Sequence, residues 1–117
     1  MASTQEVLDH HLLCFVGLDF DGIIRDYAPD AILFTPSGTL KGRDAIHAMF
    51  QALFEEFSKP GFSTAMEGQF VEGDYAYILW NAQSADNTYE TATDTFVIRG
   101  GKIVAQSFTA KITPKTR

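Results

Sequence analysis

Two side chains have sequence surroundings that suit proton chemistry, Asp94 and His11. From Tyr89 to Arg99 the chain alternates, placing Glu90, Ala92, Asp94, Phe96 and Ile98 on one face of a strand and Thr91, Thr93, Thr95 and Val97 on the other. A carboxyl among apolar neighbours is expected to hold its proton more tightly than in water, because desolvation disfavours the anion. It could then donate a hydrogen bond to a ligand carbonyl or act as an acid. The alternative is a strand-end aspartate facing water or bound to backbone amides. His11 falls on the inward side of a helix with Val7, Leu8, Leu12 and Phe15. An imidazole facing a pocket serves as acid, base or donor near neutral pH, and beside Asp94 it would complete an acid–base couple. Its alternative is a partly buried histidine satisfied by a neighbouring carbonyl.

Other chemistries find little support. His10 and Cys14 stand four apart on the same helix and His47 lies elsewhere, but no HExxH, CxxC or carboxylate cluster joins them, so no metal and no cofactor is expected. Ser37 and Ser107 lack a nucleophile elbow, and Cys14 sits mid-helix among apolar residues, as a buried thiol would. Gly100-Gly101 reads as a hairpin turn and not as a phosphate loop.

The elements that must position these groups begin with Ser3-x-x-Glu6, a capping box that starts a helix ending near Gly17. Asp19 caps a shorter helix with Phe20, Ile23, Ile24 and Tyr27 on one face, which Ala28-Pro29 should end. Ala31 to Thr35 is a first strand, turned at Pro36-Ser37-Gly38. Gly42-Arg43-Asp44 opens the longest amphipathic helix, with Ile46, Met49, Phe50, Leu53, Phe54 and Phe57 at helical spacing. After Lys59-Pro60-Gly61 everything reads as strand: Ser63 to Val71, Tyr75 to Ala85, Tyr89 to Arg99 and Ile103 to Ile112, with a polar tip at Asp86-Asn87 and a loose tail from Thr113 to Arg117. In the second of these strands Ala76, Ile78 and Trp80 share one face and Tyr75, Tyr77 and Leu79 the other. Both faces are apolar, so the outer one is expected to be covered by a second copy of the chain.

At 117 residues this is one α+β domain, 1–117, with three helices packed on a strongly bent antiparallel sheet. One cysteine excludes an internal disulfide, and no secretion signal or membrane span is visible, so a cytoplasmic protein is expected. A net charge of -6 without a basic cluster argues against nucleic-acid and anionic-membrane partners. Ten phenylalanines, four tyrosines and one tryptophan exceed what so small a core needs, which leaves some to line a cavity or an interface. Trp80 is the expected wall, with Phe15, Leu33, Phe96, Met66 and Phe108, unless these side chains simply fill the space.

The run Asp19-Phe20-Asp21-Gly22-Ile23-Ile24-Arg25-Asp26-Tyr27-Ala28-Pro29-Asp30-Ala31-Ile32-Leu33, then Gly42-Arg43-Asp44-Ala45-Ile46, then Gly101-Lys102-Ile103, resembles the SnoaL-like branch of the nuclear transport factor 2-like superfamily. The resemblance spans nearly the whole chain. It implies a cone-shaped, cystatin-like fold enclosing a pocket, commonly dimeric through the outer face of the sheet, in a group that includes ketosteroid isomerases, polyketide cyclases and a dehydratase. Compared with the isomerases, Asp94 falls where their oxyanion-stabilising aspartate lies and His11 about where they carry an oxyanion tyrosine. Thr35 takes the place of their proton-abstracting aspartate, and a threonine is no base near neutral pH. The function expected is binding of an apolar, carbonyl-bearing ligand, with isomerase, cyclase or dehydratase chemistry through Asp94 and His11. The rivals are a non-catalytic ligand-binding module and a dimeric interaction domain with a filled cavity.

Overall fold

The computed structural model describes residues 2–115. Its elements run α1 (Thr4–Val16), α2 (Phe20–Ile24), β1 (Tyr27–Thr35), β2 (Gly38–Lys41), α3 (Arg43–Phe57), β3 (Ser63–Glu72), β4 (Tyr75–Gln83), β5 (Asn87–Arg99) and β6 (Lys102–Pro114). The capping box forms: Ser3 Oγ accepts the Glu6 N–H at 3.1 Å and the Glu6 carboxylate accepts the Ser3 N–H at 3.0 Å. Asp19 caps α2 by accepting from the Gly22 N–H at 3.0 Å.

The first strand starts earlier than expected. α2 ends at Ile24, and Tyr27 belongs to β1 rather than to a helix face. Parallel pairing with β6 captures it there, with Tyr27 opposite Ile103 and the Asp26 carbonyl accepting the Ile103 N–H at 2.7 Å. Pro29 does not stop a helix. It lies in β1 where the ladder to β6 shifts register between Tyr27 and Ile32, a place where its missing N–H leaves no gap. After the Pro36-Ser37 turn the chain returns as β2, which pairs with β1 from Thr35 opposite Gly38 to Ile32 opposite Lys41. Gly-Thr-Leu-Lys carries no alternating apolar pattern, so this short edge strand has no signature of its own. Gly42 then turns into α3 with φ 88°, and its N–H reaches the Ala31 carbonyl at 2.8 Å.

The sheet order is β2-β1-β6-β5-β4-β3. β1 and β6 run parallel, and the other neighbouring pairs are antiparallel. β3 carries an extra residue between Met66 and Gly68, and β5 carries one between Tyr89 and Ala92 that shifts the register against both β4 and β6. Each inserts a residue and adds local twist, and together they bend the sheet over the helices. The bulge in β5 also corrects its face assignment. Glu90 and Thr91 both face out, so Tyr89 joins Ala92, Asp94, Phe96 and Ile98 on the inside.

α3 buries Ile46, Phe50, Phe54 and Phe57 and leaves Met49 and Leu53 partly covered. Cys14 is buried beside Asp19, and burial, with the Asp19 and Asp26 carboxylates, pushes its thiol up to about 11. The expected loose tail is in part ordered. Thr113 and Pro114 pair with Thr88 and Asn87, and the Lys115 N–H binds the Asp86 carbonyl at 2.9 Å, while Thr116 and Arg117 lie outside the described residues. Among the described residues no helix is long and apolar enough to cross a membrane.

Candidate functional site

A cavity of about 760 Å³ lies between the concave face of the sheet and helices α1 and α3. The helices supply His11, Phe15, Met49 and Leu53, and the sheet supplies Leu33, Thr35, Met66, Trp80, Asp94, Phe96 and Phe108. Every residue singled out for a pocket in the sequence therefore lines this one cavity. Trp80 anchors its aromatic side: Tyr89 and Phe108 lie nearly parallel to it at 6.1 and 6.2 Å between ring centres, and Phe15 meets it edge-on at 5.3 Å.

Asp94 is 6% exposed, and both carboxyl oxygens are held. Trp80 Nε1 donates to Oδ2 at 2.8 Å and Gln106 Nε2 donates to Oδ1 at 2.8 Å. The Tyr27 hydroxyl donates in turn to Gln106 Oε1 at 2.5 Å. Burial raises the Asp94 carboxyl above the ordinary aspartate range, opposed by the bonds from Trp80 and Gln106 and by the charge of His11. Tyr27 is fully buried and its hydroxyl is held well above the usual range, first by desolvation and then by the Asp94 and Asp26 charges, so it remains a donor.

His11 is 4% exposed, with Tyr27, Phe50 and Phe96 ringed edge-on around it at 5.6, 6.1 and 5.3 Å. Its Nδ1 lies 3.3 Å from Asp26 Oδ2, and the half-exposed His10 donates from Nδ1 to Asp26 Oδ1 at 2.6 Å. His11 Nδ1 and Asp26 Oδ2 are buried without an aligned partner, so a small tilt of the ring would join them. Nδ1 faces the carboxylate, which leaves Nε2 as the nitrogen for proton exchange. Thr35 lines the cavity too, but the turn uses its hydroxyl, which donates to the Gly38 carbonyl at 2.9 Å and accepts the Ser37 N–H at 3.2 Å.

Asp26, Gln106 and Tyr27 are the site residues that the sequence did not single out. Asp26 sits between α2 and β1, and the packing of α2 beside α1 brings it under two consecutive histidines. Gln106 lies opposite Phe96 across β5 and β6, a register that no local pattern displays. Among the described residues no three His, Cys, Asp or Glu side chains gather as a metal site. What remains is one imidazole backed by a carboxylate and one raised carboxyl, both on an apolar wall. This pair can take a proton at one point of a ligand and give one at another.

Similar folds occur in solved structures. The chain superposes on a nuclear transport factor 2-like protein of unknown function from Mesorhizobium loti with a TM-score of 0.79 at 24% identity, covering 92% of this chain and 90% of that one. It superposes on a proposed ketosteroid isomerase from Kribbella flavida with 0.76 at 13% identity, covering 97% and 82%. A proposed polyketide cyclase from Sinorhizobium meliloti gives 0.73 at 20% identity, covering 87% and 92%. At such identities these likenesses show the fold. Among curated proteins none matches significantly. The SnoaL-like domain family matches residues 8–106, nearly the whole of the bent sheet and the helices that close the cavity, and the chain belongs to that family.

Proposed function

We propose that the protein binds an apolar, carbonyl-bearing small molecule in the cavity and carries out acid–base chemistry on it, with His11 as base and Asp94 as acid. The observation that carries this is the pairing of two poised groups in a mostly apolar lining: His11 backed by Asp26, and Asp94 raised by burial. His11 Nε2 would take a proton from the carbon next to the carbonyl, while the Asp94 carboxyl gives a proton or hydrogen bond to the carbonyl oxygen, producing an enol. As the enol O–H returns its proton to Asp94, delivery of the His11 proton to a different, conjugated carbon gives isomerisation, its delivery to a departing neighbouring hydroxyl releases water and gives dehydration, and its delivery to the oxygen of a second carbonyl attacked by the enol carbon gives cyclisation. The fold neighbours described as a proposed isomerase and a proposed cyclase are in keeping with this chemistry. A non-catalytic binding module is the second reading, favoured by one fact: both carboxyl oxygens of Asp94 already accept hydrogen bonds from within the chain, from Trp80 and Gln106.

The experiment is an NMR titration of the Asp94 carboxyl, free and with a panel of small cyclic ketones and phenols, with turnover of the same compounds measured in the native chain, Asp94→Asn and His11→Ala. We expect a midpoint above that of an ordinary aspartate which ligand moves further, and a loss in kcat/KM of about 100-fold or more in either variant. Binding without turnover, with only a modest change of affinity in Asp94→Asn, supports the binding module. An ordinary midpoint that ignores every compound sinks both.

The outer face of the sheet we assign to a second copy of the chain. Tyr75 is 53% exposed, Tyr77 37% and Phe70 68%, with the Phe70 and Tyr77 rings 6.3 Å apart and Leu79 continuing the patch along β4.

A further inference from the structure

Two donors reach Asp94, and a third stands behind one of them. Tyr27 donates to Gln106 Oε1, Gln106 Nε2 donates to Asp94 Oδ1, and Trp80 Nε1 donates to Asp94 Oδ2. Tyr27, Gln106, Trp80 and Asp94 are all buried. The groups around them are His11 from α1, Asp26 beside Tyr27, and the apolar Phe50 from α3. An indole N–H can only donate, so Oδ2 must accept along that line whatever the protonation of Asp94. An amide can turn over, so the Gln106 line is the adjustable one.

Suppose Asp94 takes up a proton. Placed on Oδ1 along the line to Gln106, that proton would meet an N–H, and the amide would have to turn, offering Oε1 to Asp94 and Nε2 to the Tyr27 oxygen. The Tyr27 hydrogen would then have to leave the line. Among the described residues Gln106 Oε1 is the hydrogen-bond partner of that hydroxyl, and Tyr27 is fully buried with the His11 and Phe50 rings against its own ring. Turning the amide therefore strands a buried donor, which is costly. Leaving the amide in place puts the proton on a carboxyl lone pair off both lines, and Asp94 lines the cavity.

We propose that Gln106, held in one orientation by the Tyr27 hydroxyl, is a positioning residue that aims the Asp94 proton into the cavity. Asp94 as cavity acid is taken over from the proposed function; the aiming is not part of it. The consequence is counter-intuitive. Removing the Tyr27 hydroxyl frees the amide to turn and accept the proton itself, so Asp94 becomes a weaker acid that also points away from the ligand.

The test is the pH titration of the Asp94 carboxyl by NMR in the native chain, Tyr27→Phe, Gln106→Met and the double variant. Tyr27→Phe should raise the midpoint by about one to two pH units. In the Gln106→Met background the same substitution should leave it nearly unmoved, because no amide remains to turn. An equal shift in both backgrounds, or no shift from Tyr27→Phe, overturns the proposal. Should Gln106→Met not fold, the Gln106 side-chain amide signals decide. They must respond at the Asp94 midpoint far more in Tyr27→Phe than in the native chain, and an equal response overturns it. An Asp94 midpoint at the ordinary aspartate value sinks the cavity acid itself, an outcome distinct from a raised midpoint without coupling.

Discussion

Asp94 shows how one residue carries opposing physical demands. Its burial among Ala92, Phe96 and Ile98 disfavours the anion, while Trp80 and Gln106 aim donors that favour it, and desolvation prevails. A raised folded-state value has a definite sign in stability. Between the unfolded value, about 3.9, and the higher folded one, the folded chain binds more protons than the unfolded chain, so unfolding free energy falls as pH rises through that window. Other carboxylates titrate nearby, so the quantity to measure is the difference between native chain and Asp94→Asn in denaturant unfolding from pH 4 upward. The native chain should lose stability relative to the variant as pH rises to the folded midpoint, and the difference should then level off. A flat difference, or one that grows in favour of the native chain, would mean that Asp94 is better solvated or better paired than its surroundings indicate. The variant also exchanges one acceptor oxygen for a donor, which Gln106 can meet only by turning; that contribution is an offset and does not vary across the window.

Elements are also held in register by a polar network behind the cavity, of which Tyr89 alone reaches the lining. Glu56, in the last turn of α3, accepts from Ser84 Oγ at 2.5 Å, Asn87 Nδ2 at 3.0 Å and the Tyr89 hydroxyl at 3.1 Å. Ser84 is fully buried and collects the Asp86 and Asn87 N–H groups as well, so one carboxylate ties α3 to the β4–β5 hairpin. Glu56→Ala should cost about 2–4 kcal/mol, because several donors lose their acceptor together. That corresponds to a fall in Tm of roughly 6–16 °C, which thermal unfolding would read directly. A change under about 0.5 kcal/mol would put Glu56 among ordinary surface residues. The same hairpin marks where sequence patterns stop being informative. Period-2 alternation assigns the inner faces of β4 and of β5 from Ala92 onward, because each pattern is local and burial follows it. It misplaces Glu90 and Tyr89, because a bulge spends one residue without changing composition. β2 is invisible for a related reason: it is a strand only because β1 lies beside it. Likewise His11 and Asp94 are legible as a polar residue on an apolar face, whereas Asp26 and Gln106 become site residues through the parallel β1–β6 pairing and the β5–β6 register.

At the scale of the whole molecule the bent sheet has two unlike faces. The concave face keeps its aromatics for the cavity, and the convex face shows Phe70, Tyr75 and Tyr77 to solvent. The apolar patch favours association, while a net charge of -6 on each chain opposes it. These two contributions respond differently to salt, since screening acts on the repulsion and leaves the apolar burial in place. A dimer formed through the convex face should therefore tighten as ionic strength rises, the reverse of an interface held by ion pairs. Sedimentation equilibrium across a salt series would follow this, with Tyr77→Lys as the variant. In native chain we expect twice the monomer mass at moderate salt and partial dissociation at low salt; in Tyr77→Lys, a monomer whose cavity ligands still bind. A monomer at every salt concentration would leave the convex face without a partner of its own kind. A dimer that Tyr77→Lys does not weaken would move the interface to another surface, the exposed Leu13 and Val16 of α1 being the next apolar patch by exposure.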